Sequence, residues 1–462
     1  MASGSTLARR AVASTAVTLC VAVATKMDAL LVLVGLGAGL LVLVLSLRWP
    51  ALPLLVVAAI IPFDEIVRLG ELGTAGRTAV ILFALSYGLP RLGRLRLRAI
   101  PVSGFAYLGW ALLSFGWAID QGTAGDALSR FVQLFALAVL VADVVVHQPN
   151  VVRPVLWAYS LSASILALIG IEAFFSAPVE NAQRAAALVD QNPAQFGTVL
   201  LPAFVFGVDQ LFRSRRSLPG AAILLSTGAG ILLSGTRGVW ISVVIVTVLF
   251  VLPRMRPPQL LLAAVFVFVL TFAVWQVPGV AEFITLRTDT ALSTGGAGRT
   301  DIWAVGIEII GSSPAIGSGF GNFPEAFNSY AVETAGVTLN VGAGRAPHNI
   351  VIGTLGELGV VGLVALILFL GPLLLRHGGG PEGKVVQACL VSLMCSALTL
   401  DILSNRKHVW LMIGLAIALS YRRQELAIEP RRPPSRAPAR LADLQRAPGA
   451  APPLGARAEG NT

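Results

Sequence analysis

Charged side chains are what this sequence most lacks. They make up 13% of its 462 residues, against about 25% in a soluble domain. A chain so poor in charge has no means of covering a water-facing surface, which excludes a soluble globular enzyme. Cysteine is nearly missing too: Cys20, Cys389 and Cys395 all lie in apolar runs. Cys389 and Cys395 fall on one predicted helix at a spacing that keeps their side chains apart. This leaves neither a disulfide framework nor a CxxC metal pair, so no metal site is expected. Histidine occurs at four positions only, His147, His348, His377 and His408. No repeat of solenoid length and no soluble domain interrupts the chain. The net charge of +10 does not point to nucleic acid, because the basic residues sit in short clusters between apolar runs, as the positive-inside rule expects.

What is abundant is apolar sequence. Residues of the AVILMFWYC set make up 55% of the chain. The predicted fold is an all-α integral membrane protein, a polytopic helical bundle. Candidate spans cover residues 11–25, 29–47, 50–63, 77–90, 100–119, 127–146, 153–176, 194–212, 218–234, 238–252, 259–277, 347–375, 384–401 and 407–421. Taken against the ~20 apolar residues that a crossing needs, they give about 14 helices, with ~12 as the lower count. The run after Arg9-Arg10 resembles a signal-peptide core but has no convincing cleavage site, so it reads as a retained first helix. The basic segment 91–98 belongs on the cytoplasmic side. Alternation from there puts 213–216, 254–256, 376–384 and 422–423 on the same side. Both termini then face the cytoplasm, with residues 1–10 as a short N-terminus and 424–462 as a disordered tail rich in Pro, Ala and Arg.

The transmembrane domain, residues 11–423, has one long connection, 278–346, on the extracytoplasmic side. Long connections of this kind are commonly functional. Thr300 to Ile310 reads as a short helix within it, because Ile302, Val305 and Ile309 share one face and Asp301 and Glu308 another. Trp303 beside that apolar face suits a helix lying at the membrane interface. The glycine-rich Gly317-Ser318-Gly319-Phe320-Gly321 is not a nucleotide loop, since no strand precedes it and no GK[ST] follows. It reads as a flexible turn.

His348 stands where the loop enters a membrane helix, in Ala346-Pro347-His348-Asn349. Proline favours a helix start, so His348 is expected in the first turn, where the helix dipole keeps its imidazole neutral. That position suits either a general base or a plain interfacial anchor. Arg237 lies in a tight turn between two spans, where a charge normally needs an anionic partner. Arg299 heads the short loop helix. Guanidinium groups bind phosphate bidentately, so the two arginines suit either a lipid pyrophosphate or an Asp or Glu. Glu357 follows in the helix of His348, on the opposite face and about 13 Å along the axis. It is therefore expected to bond elsewhere.

Four segments together resemble the O-antigen ligase and polysaccharide polymerase family of bacterial membrane glycosyltransferases. They are Ser234-Gly235-Thr236-Arg237-Gly238-Val239-Trp240; Gly298-Arg299-Thr300-Asp301-Ile302-Trp303, running on to Pro314 through Phe323; Pro347-His348-Asn349 with Glu357-Leu358-Gly359-Val360-Val361-Gly362; and, more weakly, Arg184 to Phe196. The likeness covers roughly residues 181–419.

The resemblance implies an enzyme of the cytoplasmic (inner) membrane whose active site is extracytoplasmic. Such an enzyme moves a glycan from an undecaprenyl-pyrophosphate-linked donor to a hydroxyl of a glycan or glycolipid acceptor, as ligase or as polymerase, without metal or cofactor. It also implies that Arg237 and Arg299, with Arg184 as a further contact, hold the pyrophosphate. His348 becomes the base, and Trp303, Asn349 and Glu357 support the loop. The chemistry fits independently. A pyrophosphate leaving group needs fixed cations, and the hydroxyl needs a base working near neutral pH. Direct displacement inverts the anomeric centre, and no extracytoplasmic carboxylate pair suited to double displacement is evident. A polysaccharide or lipid transporter is the alternative. Against it stand the lack of inverted halves and the single dominant loop.

Overall fold

The computed structural model describes residues 29–46, 48–67, 74–176, 185–186, 192–214, 217–258, 285, 299–331, 345–376 and 379–428. Among these residues the regular structure is helical and no strand occurs. The helices are α1 (Ala29–Ser46), α2 (Leu52–Ile60), α3 (Ala75–Phe83), α4 (Val102–Leu113), α5 (Gln121–His147), α6 (Val152–Ser176), α7 (Pro193–Arg213), α8 (Leu218–Leu233), α9 (Arg237–Val246), α10 (Arg299–Ser312), α11 (Phe323–Ala331), α12 (Ile350–Leu375), α13 (Gly380–Ala397) and α14 (Lys407–Ile428). Residues Met1–Arg423 make one compact unit.

The helix starts follow local chemistry. Asp120 accepts from the Thr123 N–H, Asn192 from Ala194, and Ser217 from Gly220. Asp, Asn and Ser are the residue types that cap otherwise unpaired N–H groups best. Proline takes the first turn of α7 and α8, where its missing donor is not needed.

Among the described residues, five helical stretches are long and apolar enough to cross a membrane: Gln121–His147, Pro149–Ser176, Pro193–Arg213, Arg237–Arg254 and Ile350–Leu375. The apolar helices Leu52–Phe63 and Leu218–Leu233 are shorter. Several early elements are broken into short turns. α3 has 9 residues and passes into a π-helical turn at Ala84–Gly88, while α4 has 12. The expected count of about 14 full spans is therefore not carried by helix length. The predicted spans 11–25 and 259–277 lie outside the described residues. So does most of the predicted tail, although α14 runs on past residue 424 to Ile428.

The core centres on aromatic rings from several elements. Trp410 of α14, fully buried, meets Phe131 of α5 edge-on with centroids 5.4 Å apart, and Phe369 of α12 at 6.4 Å. Phe131 also meets Tyr107 of α4 at 5.6 Å and Phe320 at 4.8 Å. Such ring pairs add about 0.5–1.5 kcal/mol each beyond their buried area. Because Phe320 lies in the glycine-rich segment, this hub anchors that segment to the bundle.

Elsewhere in the body the basic segment is fastened by Asp143. Its carboxylate accepts from the Tyr87 hydroxyl at 2.7 Å and from the Arg96 N–H at 2.8 Å.

Candidate functional site

The helix read at 300–310 is present as α10, and its predicted face of Ile302, Val305 and Ile309 is buried. These residues form a small second core with Phe323, Ala326 and Phe327 of α11, and Ile352 of α12 packs on it. The Trp303 indole N–H donates to the Pro347 carbonyl at 3.1 Å. That bond fixes the backbone immediately before His348.

The start of α12 differs from the expected one. Asn349, not His348, caps the helix: its side chain accepts from the Val351 and Ile352 N–H groups at 2.8 and 3.1 Å. His348 stands one residue outside, with φ +48°, as the non-glycine residue with positive φ among those described. Left-handed backbone costs an L-residue about 1–2 kcal/mol, so the backbone at His348 is held there by its surroundings. Proline had suggested an earlier start, but asparagine is the better cap and takes the boundary.

The glycine-rich segment is docked, not flexible. α12 breaks at Gly359, where φ is +65° and ψ −168°. Around the break the free carbonyls of Gly356, Glu357 and Leu358 accept from Ser318 N–H, Gly319 N–H and the Trp110 indole, each at 2.9 Å. The freed Val360 N–H donates to the Pro314 carbonyl at 2.9 Å. Irregular backbone inside a membrane bundle must be paired by protein in this way. Gly317 and Gly319 also have positive φ, and a Cβ on Gly317 would collide with the Glu357 backbone. The glycines thus permit close backbone contact.

Glu357 lies within α12, whereas His348 precedes it, and the Glu357 carboxylate accepts the Phe323 N–H at 3.3 Å. It lines a cavity of about 230 Å³ together with Asn349 and Asp401. The sequence showed no carboxylate pair here. The structure places Glu357 and Asp401 in the lining of one cavity, with Leu403, Ser404 and Asn405 of the segment between α13 and α14 and with Asn349 and Ile350 at the start of α12.

The charges around His348 are arranged with opposing effects. Burial depresses its imidazole pKa, Arg299 and Arg345 lower it further, and Asp401 raises it. Asp401 in turn is pushed up by burial and held back by its Ser404 hydrogen bond and by His348. Burial depresses Arg299, and Arg237, at the start of α9, depresses it further. His348 is therefore within electrostatic reach of Arg299 and Asp401, and Arg237 within reach of Arg299. Among the described residues neither Arg237 nor Arg299 has an Asp or Glu partner. Arg184 lies outside the described residues.

Asp401 and Arg345, which act electrostatically on His348, and Arg130, placed at the cavity by α5, are not singled out by the sequence. Only spatial proximity identifies them. His408, at the start of α14, is buried at 2% exposure.

The loop that connects α13 to α14 is clamped. Lys407 pairs with Asp64 at 2.6 Å and Arg406 with Glu65, while the Trp410 indole holds the Leu403 carbonyl at 2.8 Å. These contacts fix the segment that carries Asp401.

No curated protein matches the chain. Residues 221–367 match the model of one protein family, described as O-antigen ligase. The likeness seen in the short motifs is thus a match to the O-antigen ligase family across residues 221–367, the stretch that holds Arg237, Arg299, His348 and Glu357.

Proposed function

We propose that this protein is a membrane glycosyltransferase, acting at the outer face of the cytoplasmic membrane as an O-antigen ligase or polysaccharide polymerase. Its donor is a glycan on an undecaprenyl-pyrophosphate-type lipid, and its acceptor is a hydroxyl of a glycan or glycolipid. One observation carries the reading: His348 stands within electrostatic reach of Arg299 and of Asp401, and Arg299 within reach of Arg237.

Arg237 and Arg299 grip the pyrophosphate through their guanidinium forks. The depressed pKa of His348 leaves its ring neutral near pH 7 and able to accept a proton. In the transfer step the acceptor hydroxyl gives its proton to a His348 ring nitrogen. Its oxygen bonds to the anomeric carbon while the bond from that carbon to the pyrophosphate oxygen breaks. The electron pair leaves with the lipid pyrophosphate, whose added charge the two arginines offset. Asp401 steadies the imidazolium until the proton passes to solvent. Glu357 and Asp401 are engaged with Phe323 and Ser404, so they are not poised as a nucleophile pair, and single displacement inverts the anomeric centre.

Purified protein in detergent, without any ion gradient, is the test. Conversion of a lipid-pyrophosphate glycan to product supports the transferase. Binding without conversion, together with gradient-driven movement in vesicles, supports a transporter and contradicts it.

A further inference from the structure

We infer that the cavity beside His348 is the acceptor subsite and holds one sugar ring of the acceptor, with the reacting hydroxyl turned toward His348. The inference rests on the transferase reading and adds where the second substrate lies.

Pro347 and Asn349, the neighbours of His348 on either side, both line this cavity, and so does Asp401, which interacts electrostatically with His348; His348, Arg237 and Arg299 are not themselves in the lining. The cavity therefore adjoins the proposed base through Pro347, Asn349 and Asp401. Its polar wall contains Arg130, Thr354, Glu357, Asp401, Ser404 and Asn405. The carboxyl groups of Glu357 and Asp401 are good hydrogen-bond partners for sugar hydroxyls. Each oxygen takes more than one hydrogen bond, so the existing bonds from Phe323 and Ser404 leave capacity. Arg130 is exposed, and no hydrogen bond or ion pair occupies its guanidinium among the described residues. Its five donors stay available for hydroxyl and ring oxygens. Tyr107, Phe131 and Phe320 supply the apolar side, against which the C–H face of a sugar packs. At about 230 Å³ the space lies below the ~300–1,000 Å³ of pockets for drug-sized ligands. It therefore takes one ring, and the remainder of the acceptor extends outward.

The test uses the full-length protein in detergent. Lipid-linked donor and acceptor fractions are extracted from host cells that lack the gene. Arg130→Ala removes the unpaired donors, and Asn405→Trp fills the exposed rim. Thermal unfolding beside wild type checks that both variants are folded. Each is expected to raise the apparent KM for the acceptor fraction ~tenfold or more, Arg130→Ala by losing a charged hydrogen bond and Asn405→Trp by occluding the cavity, while the donor KM stays within about twofold of wild type. A rise in donor KM alone places the donor sugar in the cavity and overturns the inference, as does an unchanged acceptor KM in both folded variants. Occupancy is read separately, without turnover. Asn405→Cys, with the native cysteines replaced, should react more slowly with a thiol reagent in the acceptor fraction and at an unchanged rate in undecaprenyl pyrophosphate. No slowing by the acceptor overturns the subsite. Slowing by the acceptor in a protein that transfers nothing keeps the subsite and removes the transferase reading.

Discussion

The backbone N–H of Phe323 donates to the Glu357 carboxylate at 3.3 Å, and that bond joins the loop helices to the broken membrane helix. Together with the Ser318 and Gly319 contacts at Gly356 and Glu357, it fixes the glycine-rich segment against α12. His348 immediately precedes the cap of α12, and Trp303 of α10 holds the residue before it. The orientation of the proposed base therefore depends on backbone pairing some distance along the chain.

This docking predicts an unequal response to alanine at two glycines. Gly317→Ala meets the Glu357 backbone and a left-handed conformation. It is expected to destabilise by more than the ~1–2 kcal/mol of the conformation alone. Gly311, near the end of α10, has open space where a Cβ would stand. There alanine should be neutral, or stabilising by up to about 1 kcal/mol. Thermal unfolding in detergent compares the two, and equal midpoints would mean that the segment is not rigidly docked.

The charges around His348 make two predictions of opposite sign. Arg299 lowers the His348 pKa, so Arg299→Ala should move the acid limb of residual activity to higher pH. Asp401 raises that pKa, so Asp401→Asn should move the limb to lower pH. Asp401→Asn should also reduce the plateau rate, because the imidazolium loses its counter-charge, by a share of the ~10²–10⁴-fold that a general base supplies. The pH dependence of turnover in both variants is the measurement, and shifts in the same direction would exclude this arrangement.

Much of the fold was legible because hydropathy and capping are local. The apolar runs among the described residues became helices, and the Ile302–Val305–Ile309 face of α10 was visible from its spacing alone. The span count was less legible, since a short apolar run reads alike whether it crosses or merely turns, as α3 does on passing into π-helical geometry. At the site, Arg237, Arg299 and His348 stood out as polar groups in an apolar chain. Asp401 and Arg130 did not, because each reaches the cavity through packing between elements distant in sequence. The glycines suggested freedom, whereas their role is to let two backbones touch, which spacing does not reveal.

The clamp on the segment carrying Asp401 is testable by charge reversal. Asp64→Lys should destabilise the protein and lower activity, because Lys407 loses its partner at 2.6 Å and faces a like charge. Adding Lys407→Asp should restore a substantial part of both. Partly buried pairs couple more strongly than exposed ones, which give only about 0–1 kcal/mol. No recovery in the double variant would remove this pair from the support of the site.

Topology is read by labelling. Ser329 lies on α11, within the loop assigned to the outer face. Ser329→Cys, with the native cysteines replaced, should react with an impermeant reagent on intact cells. Reaction only after lysis would place the loop inside and end the proposed function.

The most direct measurement is turnover of a defined lipid-pyrophosphate-linked glycan by purified His348→Ala beside wild type. Binding of the lipid donor is measured in parallel. Loss of turnover by roughly 10²–10⁴-fold, with donor binding retained through Arg237 and Arg299, is the expected result. Near-normal turnover by the folded variant would contradict the assignment of His348 as the base.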